Sequence, residues 1–92
     1  MAIRVPLFLL ILLIAGCAGR TEGRATCDNL VDQGWKELDL AKAEGFDGTV
    51  SYAKAASLLA AAKGQQVIDR FPSCINKAKR ARVYIAASRA GN

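Results

Sequence analysis

Hydrophobic residues are arranged differently in the two parts of the chain. An unbroken apolar run extends from Val5 to Ala15, whereas from residue 27 onward apolar residues recur every three or four positions among polar ones. A helix needs about 20 apolar residues to cross a bilayer, so the first run is too short to span one comfortably. A basic residue, Arg4, an apolar stretch of about 11 residues and then small residues form the layout of an export signal.

The spacing of apolar residues after position 26 predicts three helices and no strand. The helices span about residues 27–44, 50–70 and 74–88. Their apolar stripes are Leu30, Gly34, Trp35, Leu38 and Ala41, then Tyr52, Ala55, Ala56, Leu59 and Ala62, and finally Ile75, Ala78, Ala81, Arg82 and Ile85. The predicted fold class is therefore all-α, a three-helix module in which the helices run up, down and up.

Polar residues and proline suggest where these helices begin and end. Thr26 is a candidate N-cap of the first helix, Thr49 or Asp47 of the second, and Ser73 of the third. Because a residue before proline is disfavoured in a helix, Pro72 is expected to end the second helix at the preceding residue.

The apolar run ends in Ile14-Ala15-Gly16-Cys17, which resembles the lipobox of bacterial lipoproteins. The resemblance implies that the sulfur of Cys17 receives a diacylglycerol and that cleavage between Gly16 and Cys17 removes residues 1–16. Two acyl chains or more hold a protein stably on a membrane. The alternatives are a plain cleaved signal or an uncleaved anchor, with Cys17 incidental in both.

The same resemblance predicts the location and the domain organisation. In Gram-negative lipoproteins an aspartate after the cysteine commonly retains the protein in the inner membrane, and Ala18 stands there instead. This favours the periplasmic side of the outer membrane. The expected parts are a signal peptide at 1–16, the lipidated cysteine with a flexible tether at 17–25, and a small helical domain at 26–92.

The two remaining cysteines predict a disulfide. Cys27 and Cys74 each lie in the first turn of a predicted helix, and in an up-down-up module the first and third helices start at the same end. Disulfides persist outside the cytosol, and this loop is worth about 4 kcal/mol in the chain-entropy model. The alternatives are a redox pair, which lacks the Cys-x-x-Cys spacing, and a metal site, which lacks histidine and further ligands.

Charge is unevenly distributed along the predicted domain. The charged residues within 22–47 are mostly acidic, whereas the chain after Phe71 contains no acid. The first and third helices should therefore attract each other modestly. The candidate interaction surface consists of Lys77, Lys79, Arg80 and Arg82. It is either a solvated face or a contact for lipid phosphates or an acidic partner, and export makes a nucleic-acid partner improbable.

The segment SYAKAASLLAAAK resembles the second helix of a tetratricopeptide repeat. Its aromatic, small, large and small positions are occupied by Tyr52, Ala55, Leu59 and Ala62, and Trp35 and Leu38 resemble residues of the repeat's first helix. The chain is also similar to small proteobacterial lipoproteins that carry such a module. The resemblance implies a helical hairpin plus a third helix, with Trp35 and Tyr52 as core or half-buried packing residues.

No catalytic arrangement stands out in the sequence. The chain has no histidine, and Ser57 and Lys63 are six positions apart, on different sides of a helix. We therefore expect no enzyme, cofactor, metal or small-molecule substrate. Two functions are left open: a lipid-anchored module that binds an envelope protein, and a structural lipoprotein whose basic third helix contacts anionic lipid or peptidoglycan.

Overall fold

The computed structural model describes the fold from Arg4 onward and the side chains from Gly23 onward. It contains α1 (Arg4–Ala43), α2 (Val50–Val67) and α3 (Phe71–Arg89), and no strand occurs between residues 4 and 92. The all-helical class predicted from the sequence is confirmed.

Helices α1 and α3 are parallel, and two ion pairs fix their register. Arg82 donates to Glu37 at 2.9 Å, and Arg89 donates to Glu44 at 2.7 Å. Each pair joins residues 45 positions apart, so both helices advance in the same direction. Both pairs join an acidic residue in or just after α1 to a basic residue of α3, in agreement with the predicted attraction.

Helix α2 runs in the opposite direction and completes the up-down-up arrangement. Its beginning lies at the end of α3, where Thr49 and Ser88 share a hydrogen bond of 2.6 Å. Its last turn lies beside the disulfide end of α1, where the Gln66 amide donates to the Asp28 carboxylate.

The core consists of two clusters stacked along the bundle. One lies at the disulfide end and the other near the turn between α1 and α2. The buried residues are Cys27, Val31, Ala62, Phe71, Cys74 and Ala78 in the first cluster, and Leu38, Ala41, Ala55, Leu59, Ala81 and Ile85 in the second. The apolar stripes were largely predicted, although Val31 and Phe71 were missed and Trp35 is 37% exposed.

The predicted start of the first helix is wrong, whereas one of the two predicted caps of the second helix is confirmed. Helix α1 already includes Gly23 to Thr26, so Thr26 is not an N-cap and the flexible tether is wrong for residues 23–25. Tertiary contact explains the difference: the Arg24 guanidinium lies 5.4 Å from the centre of the Phe71 ring, which packs this turn against α3. Thr49 does cap α2, because its hydroxyl accepts from the Tyr52 amide.

The boundary between α2 and α3 differs from the prediction. Helix α2 ends at Val67, and Pro72 lies in the first turn of α3, where its missing N–H is not needed. Ser73 is consequently inside α3 and is not its N-cap. Asp69 adopts a left-handed conformation (φ 59°) and Arg70 N donates to an earlier carbonyl, which closes α2 as a Schellman motif.

Candidate interaction surface

The predicted disulfide is present and ties α1 to α3. Cys27 and Cys74 are fully buried, with their Cα atoms 5.7 Å apart and their sulfurs bonded. Both lie in the first core cluster, so the covalent link and the apolar packing reinforce the same end of the bundle.

Gly16 and Cys17 lie outside the residues whose side chains the structure describes. Cleavage between them and lipidation of the cysteine accordingly stay predictions. Within the described residues, no helix combines the length and apolar character required to traverse a bilayer.

A groove opens between α2 and α3 on the side of the bundle away from α1. It is shallow and open, with a volume of about 460 Å³. Its lining is mostly apolar, and Val50 at its edge is 67% exposed. The lining residues are Val50, Ala53, Lys54, Ser57, Leu58, Arg80 and Tyr84. An open apolar floor with polar groups at its border is the arrangement found where proteins bind other molecules.

The α1–α2 turn holds in place the edge of this groove that is formed by Val50, the first residue of α2. Ser88 is fully buried and, with Thr49, lies within hydrogen-bonding distance of the Phe46 carbonyl, at 3.2 and 2.9 Å respectively. The two hydroxyls also contact each other, so one donates to the carbonyl and the other to its neighbour's oxygen. Val50 follows Thr49 directly, and the groove edge is therefore fixed to the end of α3.

The groove is electropositive. The Lys54 ammonium lies 5.4 Å from the centre of the Tyr84 ring, a cation–π arrangement that keeps the charge at the border. Arg80 supplies a second cation, and neither α2 nor α3 contains an acidic residue. Within the described part of the chain, Lys54 and Arg80 have no carboxylate partner. The groove thus presents two uncompensated positive charges beside apolar surface.

The four basic residues predicted as one surface lie on different sides of α3. Arg82 points to α1 and pairs with Glu37, whereas Arg80 lines the groove toward α2. Lys79 is exposed and Lys77 is partly buried. The arrangement follows from the helical repeat of 100° per residue, which separates neighbours along the chain around the helix axis.

The two aromatic residues singled out in the sequence differ in burial. Tyr52 is partly buried against the second core cluster, as expected. Trp35 is exposed on α1, between Asp32 and Asp39, which are exposed as well. Their spacing of three and four residues places these three side chains on one helix face, which we call the acidic stripe, and the exposed Lys36 lies at its edge.

The groove was not predicted from the sequence. Lys54 and Tyr84 were not grouped because they lie on different helices. A signal was nevertheless present: α2 carries only basic charges, and its apolar residues cover more of its circumference than one core face requires.

Two further kinds of site, a metal centre and a Ser57–Lys63 pair, can be compared with the described side chains. Residues from Gly23 onward contain no group of three or more histidine, cysteine or carboxylate side chains able to hold a metal ion. Ser57 lines the groove but Lys63 does not, so the two are not brought together there. Comparison of the chain with models of protein families, with curated proteins and with solved structures finds no match.

Proposed function

We propose that this chain is a lipid-anchored, non-enzymatic interaction module of the bacterial cell envelope, and that the groove between α2 and α3 binds a protein. The observation that carries the proposal is the groove itself, an exposed apolar surface bordered by Lys54 and Arg80. Apolar contact supplies affinity in such a site, and the two cations select an acidic ligand.

The disulfide supports an envelope location. A buried Cys27–Cys74 bond that stabilises a small, alanine-rich bundle suits an oxidising compartment, such as the periplasm. A lipid on Cys17 would then hold the bundle at a membrane surface, because the cysteine precedes the described side chains by only six residues. The helical hairpin of α1 and α2 acts in this proposal as a tetratricopeptide-like unit.

The height of the groove favours a protein ligand over lipid. With the 45-residue register between α3 and α1, Arg80 lies level with Trp35. At 1.5 Å per residue, that level is about 18 Å along α1 from Gly23. The groove is consequently displaced along the bundle from the end that would carry the lipid.

One experiment tests the anchor. Intact-mass analysis of the protein extracted from membranes should show removal of residues 1–16, the added mass of acyl chains, and the loss of two hydrogens for the disulfide. A free periplasmic protein cleaved at another position and without fatty acid would contradict the anchor.

A second experiment tests the groove. A photoreactive amino acid at Ala53, inside the groove, should crosslink one dominant protein in intact cells. The same substitution at the exposed Ala60, outside the groove on α2, is the matched control. Equal crosslinking from the two positions, or none above background from Ala53, would contradict binding in the groove.

The alternative function, contact with anionic lipid or peptidoglycan, is favoured by the exposed Lys79 and Arg80. For this alternative, a Cys17→Ala protein should bind envelope fractions in a salt-sensitive manner, and Lys77→Gln/Lys79→Gln/Arg80→Gln should abolish that binding. Arg82 is left intact because it pairs with Glu37. Unchanged salt-sensitive binding would exclude this function.

A further inference from the structure

We propose that the ligand of the groove is the acidic stripe of a second copy of this chain. The inference rests on the proposed function, which assigns binding to the groove, and it names the partner. Asp32, Trp35 and Asp39 would enter the groove of a neighbouring copy, next to Lys54 and Arg80.

The two surfaces are complementary in charge and in polarity. The groove has two cations beside an apolar floor. The stripe has two carboxylates and an exposed indole, with the exposed Lys36 at its edge, so its net charge is negative. Trp35, the only tryptophan of the chain, is 37% exposed. Tryptophan is among the residues that contribute most at protein interfaces, and burial of this ring would remove an exposed apolar surface from water.

The two surfaces also lie at the same height along the bundle. The register of 45 residues between α3 and α1 places Arg80 level with Trp35 and Tyr84 level with Asp39. Two copies that stand side by side with parallel axes would therefore bring stripe and groove together without a shift along the axis. Copies anchored in one membrane would have this mutual orientation already.

The contact joins different surfaces of the two copies. The groove faces away from α1, which carries the stripe, so a single copy cannot satisfy both surfaces itself. A heterologous contact of this kind leaves one free groove and one free stripe on each pair. It consequently produces rings or lateral rows in the membrane plane.

Charge reversal on each surface tests the proposal. The full chain in detergent micelles is studied by sedimentation as wild type, as the groove variant Lys54→Glu/Arg80→Glu, and as the stripe variant Asp32→Lys/Asp39→Lys. We expect the wild type to self-associate, less so at high salt, and each variant alone to associate about tenfold or more weakly because like charges then face each other. An equimolar mixture of the two variants should regain association, since each surface again meets its opposite.

The controls separate this inference from loss of folding and from the proposed function. Lys63→Glu removes an exposed cation of α2 outside the groove and should leave association unchanged. Circular dichroism checks that every variant keeps its helices, and restored association in the mixture would itself require folded variants. A wild type that stays monomeric up to millimolar concentration, or variants that associate like the wild type, would overturn the inference. If Ala53 crosslinks a different protein in such a case, the proposed function stands and only this partner is wrong.

Discussion

At Gly34, the backbone of α1 lies very close to the side chain of Leu59 on α2. A Cβ atom built on Gly34 would lie 2.5 Å from Cδ2 of Leu59, which is shorter than any normal carbon contact. Leu59 is fully buried, so its side chain can move only by displacing other residues of the second core cluster. The glycine is therefore required by packing, and we expect Gly34→Ala to destabilise the bundle.

Gly64 provides a matched control for this substitution. It lies in α2, and a Cβ atom at this position meets no other atom within 4 Å. Gly→Ala in a helix stabilises by about 0.5–1 kcal/mol, through helix propensity and the entropy of the unfolded chain. Both positions share this gain, but overpacking at Gly34 costs about 1–3 kcal/mol.

The expected result is a difference in the free energy of unfolding between the two variants. Gly64→Ala should raise it by up to about 1 kcal/mol, and Gly34→Ala should fall below Gly64→Ala by about 1–3 kcal/mol. Urea unfolding of the full chain in detergent micelles, followed by far-ultraviolet circular dichroism, measures both values. Equal stabilisation by the two alanines would refute the close approach of α1 and α2 described above.

Three further substitutions test the contacts between α1 and α3 and at the α1–α2 turn. Replacing Cys27 and Cys74 with serine should lower the free energy of unfolding by about 4 kcal/mol through the loss of the closed loop; a reducing agent should destabilise the wild type but not this variant in thermal melts. Glu37→Gln should cost under about 1 kcal/mol, because the pair with Arg82 is partly exposed, and a larger loss in urea titrations would show that the pair is more important than its exposure implies. Ser88→Ala should cost about 1 kcal/mol, as Thr49 keeps its bond to the Phe46 carbonyl, and an unchanged melting temperature would contradict the described hydroxyl contacts.

Much of the fold could be predicted because it depends on local patterns. Helical spacing identified three helices. In an up-down-up arrangement the first and third helices start at the same end, and the positions of Cys27 and Cys74 were then sufficient to infer the disulfide. Thr49 was one of two predicted caps, with Asp47, because a hydroxyl or carboxylate before a helix satisfies a free amide, and the structure shows that Thr49 is the cap.

The predictions that were wrong concern places where tertiary contact outweighs local preference. Gly23 to Ala25 looked like a polar tether, but Arg24 packs on Phe71 and the helix continues through them. Pro72 was read as a terminator, although proline is equally suited to the first turn of the next helix. The groove could not be predicted for a related reason: its residues come from two helices, and their proximity depends on how α2 and α3 pack.

The α1–α3 pair is fastened by different chemistry at its two ends. The disulfide of Cys27 lies at the N-terminal end of α3, and the ion pair of Glu44 with Arg89 lies at the opposite end of that helix, beside the α1–α2 turn. Concentrated salt screens exposed charges but leaves a covalent bond intact, whereas a thiol reagent does the reverse. The two reagents should thus loosen opposite ends of the contact between α1 and α3, and hydrogen exchange under each would reveal how far an opening at one end of the contact extends toward the other.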